Sequence, residues 1–122
     1  VPYDVVRTLD KEGSIPPNRT DVGAYLLAEV IGARQCIFVK DEDGLYTDNP
    51  KKDPAAEFIP RIGAGELIDL DLDDLIVERA VLEFLLCARS VTEIQIINGT
   101  KPGRITQALQ GEHVGTIIYK DR

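Results

Sequence analysis

The sequence is poor in the residues that build most nucleophilic and metal centres. It has a single histidine, His113, and two cysteines, Cys36 and Cys87. The histidine falls in a Gly111-Glu112-His113 turn, the setting of a lone solvated imidazole, and no Ser/His/Asp or Cys/His constellation can be assembled around it. The cysteines lie in an apolar run and in a helical pattern, without metal-ligand spacing. They read as reduced, buried small hydrophobes of a cytoplasmic protein, and no metal-ligand set is predicted. No apolar run approaches the ~20 residues that span a bilayer, and no signal-peptide pattern opens the chain. Positive charge is short as well. Fourteen basic residues against 21 acidic ones leave a formal charge of −7, which argues against a general electrostatic grip on nucleic acid or on anionic lipid. An anion bound here needs a local site.

What is present suits a compact unit. The chain has 122 residues, 43% of them apolar, which is enough to bury a core. It starts at Val1 and runs to Pro17 without a clear period, like a start in mid-protein. Residues 1–17 are therefore expected to be an irregular connecting segment, and 18–122 an α/β unit. Val22, Tyr25, Leu26, Val30 and Ile31 recur at near-helical spacing, which predicts a helix over 20–31 stopped by Gly32. Gln35 to Val39 is continuously apolar, the pattern of a strand buried on both faces. Phe58 to Ile62 resembles an edge segment, because Pro60 cannot donate to a ladder. A small helix is expected near 65–70, and the stripe Val77, Ala80, Val81, Phe84, Leu85, Ala88 predicts a longer one over 76–89. Strands follow at 93–98 and 114–119, with a helix over 103–110 between them. Alternating helices and short apolar strands predict right-handed crossovers and a layered α/β domain with a largely parallel sheet. The Asp-Leu alternation over 69–74 lacks the spacing and closing glutamate of a calcium loop.

Ligands of open α/β sheets bind beyond the carboxyl ends of the strands. That places attention on VKDEDGLYTDNPKKDP, residues 39–54, an unusually polar sequel to an apolar strand. Gly44 allows a tight turn, Tyr46 offers a flat surface for a base, and Lys40, Lys51 and Lys52 offer cations for phosphate. The same composition also makes an ordinary surface turn. A second candidate is Asn18-Arg19-Thr20-Asp21, where an arginine, a hydroxyl and a carboxylate meet a helix amino terminus; it can serve an anion or simply cap the helix. A third is Asn98-Gly99-Thr100-Lys101-Pro102-Gly103-Arg104, a turn with two glycines and two cations. It lacks the lysine-hydroxyl ending of a P-loop.

Taken in order, these segments resemble the carboxyl-terminal half of the amino-acid-kinase superfamily, in the branch that holds uridylate kinases and molybdenum storage proteins. The resemblance covers Ile15 to Tyr119. It rests on Thr20-Asp21 with the helix after it, Asp43-Gly44-Leu45-Tyr46 with Pro50 and Lys52-Asp53-Pro54, Asn98 with Lys101-Pro102-Gly103, and Gly111 to Thr116. Ile15-Pro16-Pro17 before Arg19-Thr20-Asp21, the run Lys40 to Thr47, and Asn98-Gly99 with Pro102-Gly103 are more similar to the storage subunits. In the kinases the loop reads Thr-Lys-Val-Asp-Gly, where this chain has Lys40-Asp41-Glu42-Asp43-Gly44, and Asn49 replaces an aspartate.

The resemblance implies a three-layer α/β/α, carbamate-kinase-like fold that binds MgATP. By position, Lys40, Asp43, Gly44, Tyr46, Asn49 and Pro50 would surround adenine and ribose. Thr20 and Asp21 would face the phosphates as the catalytic pair. It further implies ATP use coupled to depositing molybdate or tungstate as oxide clusters, within a hexamer of homologous subunits. A uridylate kinase and a nucleotide-binding module without catalysis are the alternatives. The superfamily's glycine-rich segment and catalytic lysine are not found in these residues, so the resemblance implies an amino-terminal half as partner.

Overall fold

The computed structural model describes residues 20–72 and 75–122. The segment 1–17, Asn18, Arg19 and the last two residues of the Asp-Leu alternation, Asp73 and Asp74, lie outside the described residues. The elements are α1 (Thr20–Val30), β1 (Gln35–Lys40), β2 (Leu45–Tyr46), β3 (Phe58–Ile59), β4 (Arg61–Gly63), α2 (Ala64–Leu70), α3 (Arg79–Leu86), β5 (Glu93–Asn98), α4 (Arg104–Leu109) and β6 (Thr116–Tyr119).

The main sheet has four strands in the order β1-β5-β6-β4, and β2 with β3 forms a separate two-stranded ribbon. β1 runs parallel to β5 and β4 parallel to β6, so the sheet is mostly parallel. The last connection departs from the expected crossover, because β5 and β6 are antiparallel. The residues between Asn98 and Thr116 are spent on a turn, the short α4 and a second turn, and they bring the chain back to the end of β5 that it has just left.

Alternation along β5 sorts side chains to two faces. Ile94 and Ile96 join Phe38 and Ile118 in the main core, against Val22 and Tyr25 of α1, Leu67 of α2, and Val81, Leu82 and Leu85 of α3. Gln95, Ile97 and Ile117 are buried on the opposite face, where α4 contributes the buried Ala108. Helices therefore cover both faces, giving the three layers expected. Gln95 is satisfied inside its face: its Oε1 accepts from Val114 N at 2.8 Å, and its Nε2 donates to the Glu112 carbonyl at 3.3 Å.

Three expectations need correction. β1 is not buried on both faces; it stands at the edge of the sheet, only Phe38 is buried, and Val39 is 49% exposed. The helix expected over 76–89 is shorter at both ends. Glu78 is extended (ψ 136°) before α3, and Cys87 closes it. Val77 and Ala88 keep helical spacing and are buried, but they reach the core from the flanking turns. Cys87, at that closing position, is exposed rather than buried, and both cysteines are free. Cys36 is half-buried, and burial followed by the nearby Asp21 carboxylate pushes its thiol pKa up.

Two carboxylates staple the layers. Glu29 of α1 accepts the backbone N–H groups of Arg89, Ser90 and Val91 at 2.7, 2.8 and 3.0 Å, closing the turn between α3 and β5. Asp121 accepts from Gly65 N and Glu66 N at 2.8 and 3.2 Å, capping α2, which has no side-chain cap of its own. Nearby, the Tyr25 hydroxyl donates to the Phe84 carbonyl at 3.2 Å, and the Thr92 N–H donates to the Arg34 carbonyl at 2.9 Å. No helix among the described residues is long and apolar enough to cross a membrane.

Candidate functional site

Parallel pairing brings β1 and β5 to a common end, where Lys40 stands opposite Asn98. The loops that follow are joined at once, since Gly99 N donates to the Lys40 carbonyl at 2.9 Å. The first loop enters the β2–β3 ribbon, and the residues between β2 and β3 fold back over it. Asn49 organises that return. Its Oδ1 accepts from Lys51 N at 3.0 Å, and its carbonyl accepts from Lys52 N and Asp53 N at 3.1 and 2.9 Å, an Asx-type turn.

A slot of about 180 Å³ opens in this fold-back, walled by Gly44, Tyr46, Asn49, Pro50, Lys51 and Ile76. Drug-sized ligands fill pockets of roughly 300 Å³ and more, so this slot suits one planar ring system. A second concavity of about 340 Å³ adjoins it and holds Thr20, Asp21 and Lys40, with Ile76 as a shared wall. There Lys40 Nζ grips both oxygens of Asp21 at 2.8 and 3.0 Å. The pair is largely sheltered, with 26% and 14% of the two side chains exposed.

Three further charges of the loop are spent on one another. Lys51 reaches Asp41 at 2.8 Å and Glu42 at 3.5 Å. That bond to Lys51 holds the Asp41 carboxyl below its usual range and raises the Lys51 ammonium in turn. Asp43 is committed differently. Lys101 pairs with it at 2.5 Å and Asn98 Nδ2 donates to it at 3.1 Å, and these partners, Lys101 first, hold its carboxyl below the ordinary range. Asn98 Oδ1 meanwhile accepts from Thr100 N at 2.9 Å. Asp43 thus ties the loop after β1 to the loop after β5. Tyr46 is half-buried and packs edge-on against Phe58, ring centroids 5.5 Å apart. Burial, then the Asp43 and Glu42 charges, raises its phenol.

Of the residues singled out in the sequence, Gly44, Tyr46, Asn49 and Pro50 meet at the slot. Lys40 stands instead with Thr20 and Asp21 in the adjoining concavity, and Asp43 lines a third one with Tyr46, Phe58 and Arg104. His113 is exposed, yet it is not simply solvated: its Nε2 lies 2.9 Å from the Pro60 carbonyl and 2.7 Å from that of Gly115. Lys101 belongs to the third candidate turn and Thr116 to the last segment of the family resemblance, which gives it no role of its own; Ile76 carries no sequence signal and owes its place to tertiary structure. Among the described residues no group of three or more His, Cys, Asp or Glu side chains could hold a metal ion.

The amino acid kinase family model matches residues 3–98. The chain belongs to the amino acid kinase family. It is 55% identical, over 117 residues, to the molybdenum storage protein subunit beta of Azotobacter vinelandii, covering 96% of this chain and 43% of that protein. It is 31% identical, over 130 residues, to the uridylate kinase of Thermotoga maritima, covering 99% of this chain and 54% of that enzyme. Among solved structures, uridylate kinase from Archaeoglobus fulgidus superposes with a TM-score of 0.69 at 31% identity, covering 87% of this chain and 49% of that one. The chain therefore spans about half the length of the curated relatives it matches. Within the amino acid kinase family, its identity to the storage subunit exceeds that to this uridylate kinase, in line with the loop residues Lys40 to Tyr46.

Proposed function

We propose that this chain is the ATP-binding part of a molybdenum-storage-type subunit, in which ATP use is coupled to depositing molybdate or tungstate as oxide clusters inside an oligomeric cage. The observation that carries the reading is the shared Ile76 wall: a ring-sized slot opens beside a concavity that presents Thr20, Asp21 and Lys40. A base lies in the slot against Tyr46 and Pro50, with the ribose near Gly44 and Asn49. The phosphates then extend toward Lys40 and the amino end of α1. Asp21 would hold Mg²⁺ carried by those phosphates and Lys40, its partner in this structure, would face the phosphate oxygens; the ion would supply charge neutralisation. Such reactions depend on positioning and charge neutralisation more than on covalent chemistry. The further length present in the relatives would complete the phosphate side and the contacts between cytoplasmic subunits, a hexamer in this reading.

Calorimetry on the complete protein tests the nucleotide part. ATP is expected to bind, and Tyr46→Ala to weaken it about tenfold, since stacking a base on an aromatic ring contributes roughly 1–3 kcal/mol and about 1.4 kcal/mol is a factor of ten. An unchanged affinity in Tyr46→Ala would remove the slot assignment. Storage is tested by elemental analysis after growth with molybdate, where absence of molybdenum and tungsten from the purified assembly would end that part of the reading. Its similarity to uridylate kinases keeps one competitor, transfer of the ATP γ-phosphate to UMP. An assay with UMP as acceptor separates the two. ATP binding with neither outcome would identify a module that has lost catalysis.

A further inference from the structure

Thr116 is fully buried at the start of β6, and its hydroxyl makes two bonds that leave the main sheet. Oγ1 accepts from Leu45 N at 2.8 Å and donates to the Ile59 carbonyl at 2.6 Å. Leu45 and Ile59 are register partners in the β2–β3 ribbon. One side chain therefore touches both strands of the ribbon at the same rung. The next rung pairs Tyr46 with Phe58, the two rings that pack edge to face. Space around this hydroxyl is also closed: a Cβ on Gly44 would run into Thr116 Oγ1 and lie 2.9 Å from the Phe58 ring. His113 Nε2 supports the same junction from the Pro60 carbonyl, one residue beyond β3.

We propose that Thr116 is the positioning residue of the ring slot: its hydroxyl fixes the β2–β3 ribbon, and through it the Tyr46 ring, against the main sheet, so that the slot is formed before a nucleotide enters. The inference rests on the nucleotide reading above for its ligand, but the positioning itself is a property of the unliganded protein. The chemistry explains why a hydroxyl is needed. A methyl group in its place removes the acceptor of the buried Leu45 N–H and a donor to the Ile59 carbonyl, whereas the ribbon's other bonds, Thr47 N to the Glu57 carbonyl and Glu57 N to Thr47 Oγ1, hold its strands to each other rather than to β6. Serine retains both bonds.

Thr116→Val and Thr116→Ser in the complete protein give the test, with two independent readouts. By amide hydrogen exchange without ligand, Thr116→Val is expected to lose at least tenfold of the protection at Leu45, and Thr116→Ser to stay within about threefold of wild type. By calorimetry, Thr116→Val is expected to weaken ATP about tenfold and adenosine by the same factor, because the loss is at the ring end; Thr116→Ser restores both. Combining Thr116→Val with Tyr46→Ala is expected to cost little more than Tyr46→Ala alone, since both act on one ring. Wild-type protection at Leu45 in Thr116→Val, or losses that simply add in the double variant, would overturn the positioning role. Failure of wild-type protein to bind ATP or adenosine would instead overturn the nucleotide reading, while the exchange comparison still decides whether Thr116 holds the ribbon.

Discussion

Gly115→Ala is expected to destabilise the protein by about 3 kcal/mol or more, the largest effect of any single added methyl group in the site region. A Cβ at this position would overlap the Ile96 carbonyl group and approach the Asp43 carbonyl oxygen at 3.0 Å. Both neighbours are backbone. Ile96 belongs to β5, buried on both faces, and stands opposite Thr116 in the sheet, so it cannot yield without opening the β5–β6 pairing. Asp43 is held by Lys101 and Asn98, so the loop cannot yield freely either. Gly23 is the natural control. Nothing lies within 4 Å of a Cβ there, and alanine within a helix is favoured over glycine by about 1 kcal/mol, so Gly23→Ala is expected to be neutral or stabilising. Urea unfolding measures both. A Gly115→Ala midpoint equal to wild type would show that the close approach of β6, β5 and the site loop is not as described.

Glu29→Ala is the second large effect, an expected loss of about 2–3 kcal/mol. The substitution leaves three backbone N–H groups of the Arg89–Val91 turn without their acceptor, and bonds to a charged partner contribute about 1.5–3 kcal/mol each before water partly replaces them at an exposed turn. The effect has a pH signature. Burial works to raise the Glu29 carboxyl, but the N–H groups of Val91, Arg89 and Ser90, with Lys120 nearby, outweigh it and bring the group below its ordinary 4.5. A carboxyl depressed by folding contributes stability that is fully present above the unfolded value and lost as pH falls through the folded one. The difference in stability between wild type and Glu29→Gln is therefore expected to be constant above about pH 5.5 and to shrink below pH 4.5. A difference that stayed constant from pH 7 to pH 3 would mean the carboxylate charge is not what holds the turn.

What the sequence reveals of this fold depends on how local each cause is. β5 is legible to the residue, because the β-branched Ile94, Ile96 and Ile97 cluster within a six-residue stretch bounded by turn residues, and both faces are covered. The end of α1 is legible through Gly32, which adopts the left-handed φ of 78° that a helix stop requires. The bounds of α3 are not, since Val77 and Ala88 hold helical spacing for reasons of packing, and hydrophobic period alone cannot tell a helix turn from a buried loop. The edge position of β1 is a fact about strand order, invisible in QCIFV. At the site, Gly44 and Tyr46 are legible as neighbours of one slot because they sit on one loop after one strand, while Asn49 and Pro50, on the same loop, are implied by the family resemblance. Ile76 and Thr116 reach the same region from about 30 and 70 residues further along the chain; no local pattern marks Ile76, and the segment Gly111 to Thr116 gives no hint that the Thr116 hydroxyl reaches the ribbon. Asp43 illustrates a third case: the family resemblance implies a ligand contact for it, whereas Lys101 and Asn98 give it a structural partner first.

The contacts that join α1 and β1 to α3 and β5 share one arithmetic. Tyr25 reaches 59 residues ahead, Glu29 60 to 62, and Arg34 58. Together they close a single long loop of chain, and β2, the fold-back and β3 all lie inside it. Closing a flexible loop costs only about 0.6 kcal/mol more for each doubling of its length. Changes in length or sequence between Thr47 and Glu57 are thus cheap for the scaffold, whose ends are fastened elsewhere. The slot sits where the chain has most freedom to vary, so one layered framework can host different ligand chemistry at the mouth of β1 without renegotiating its core.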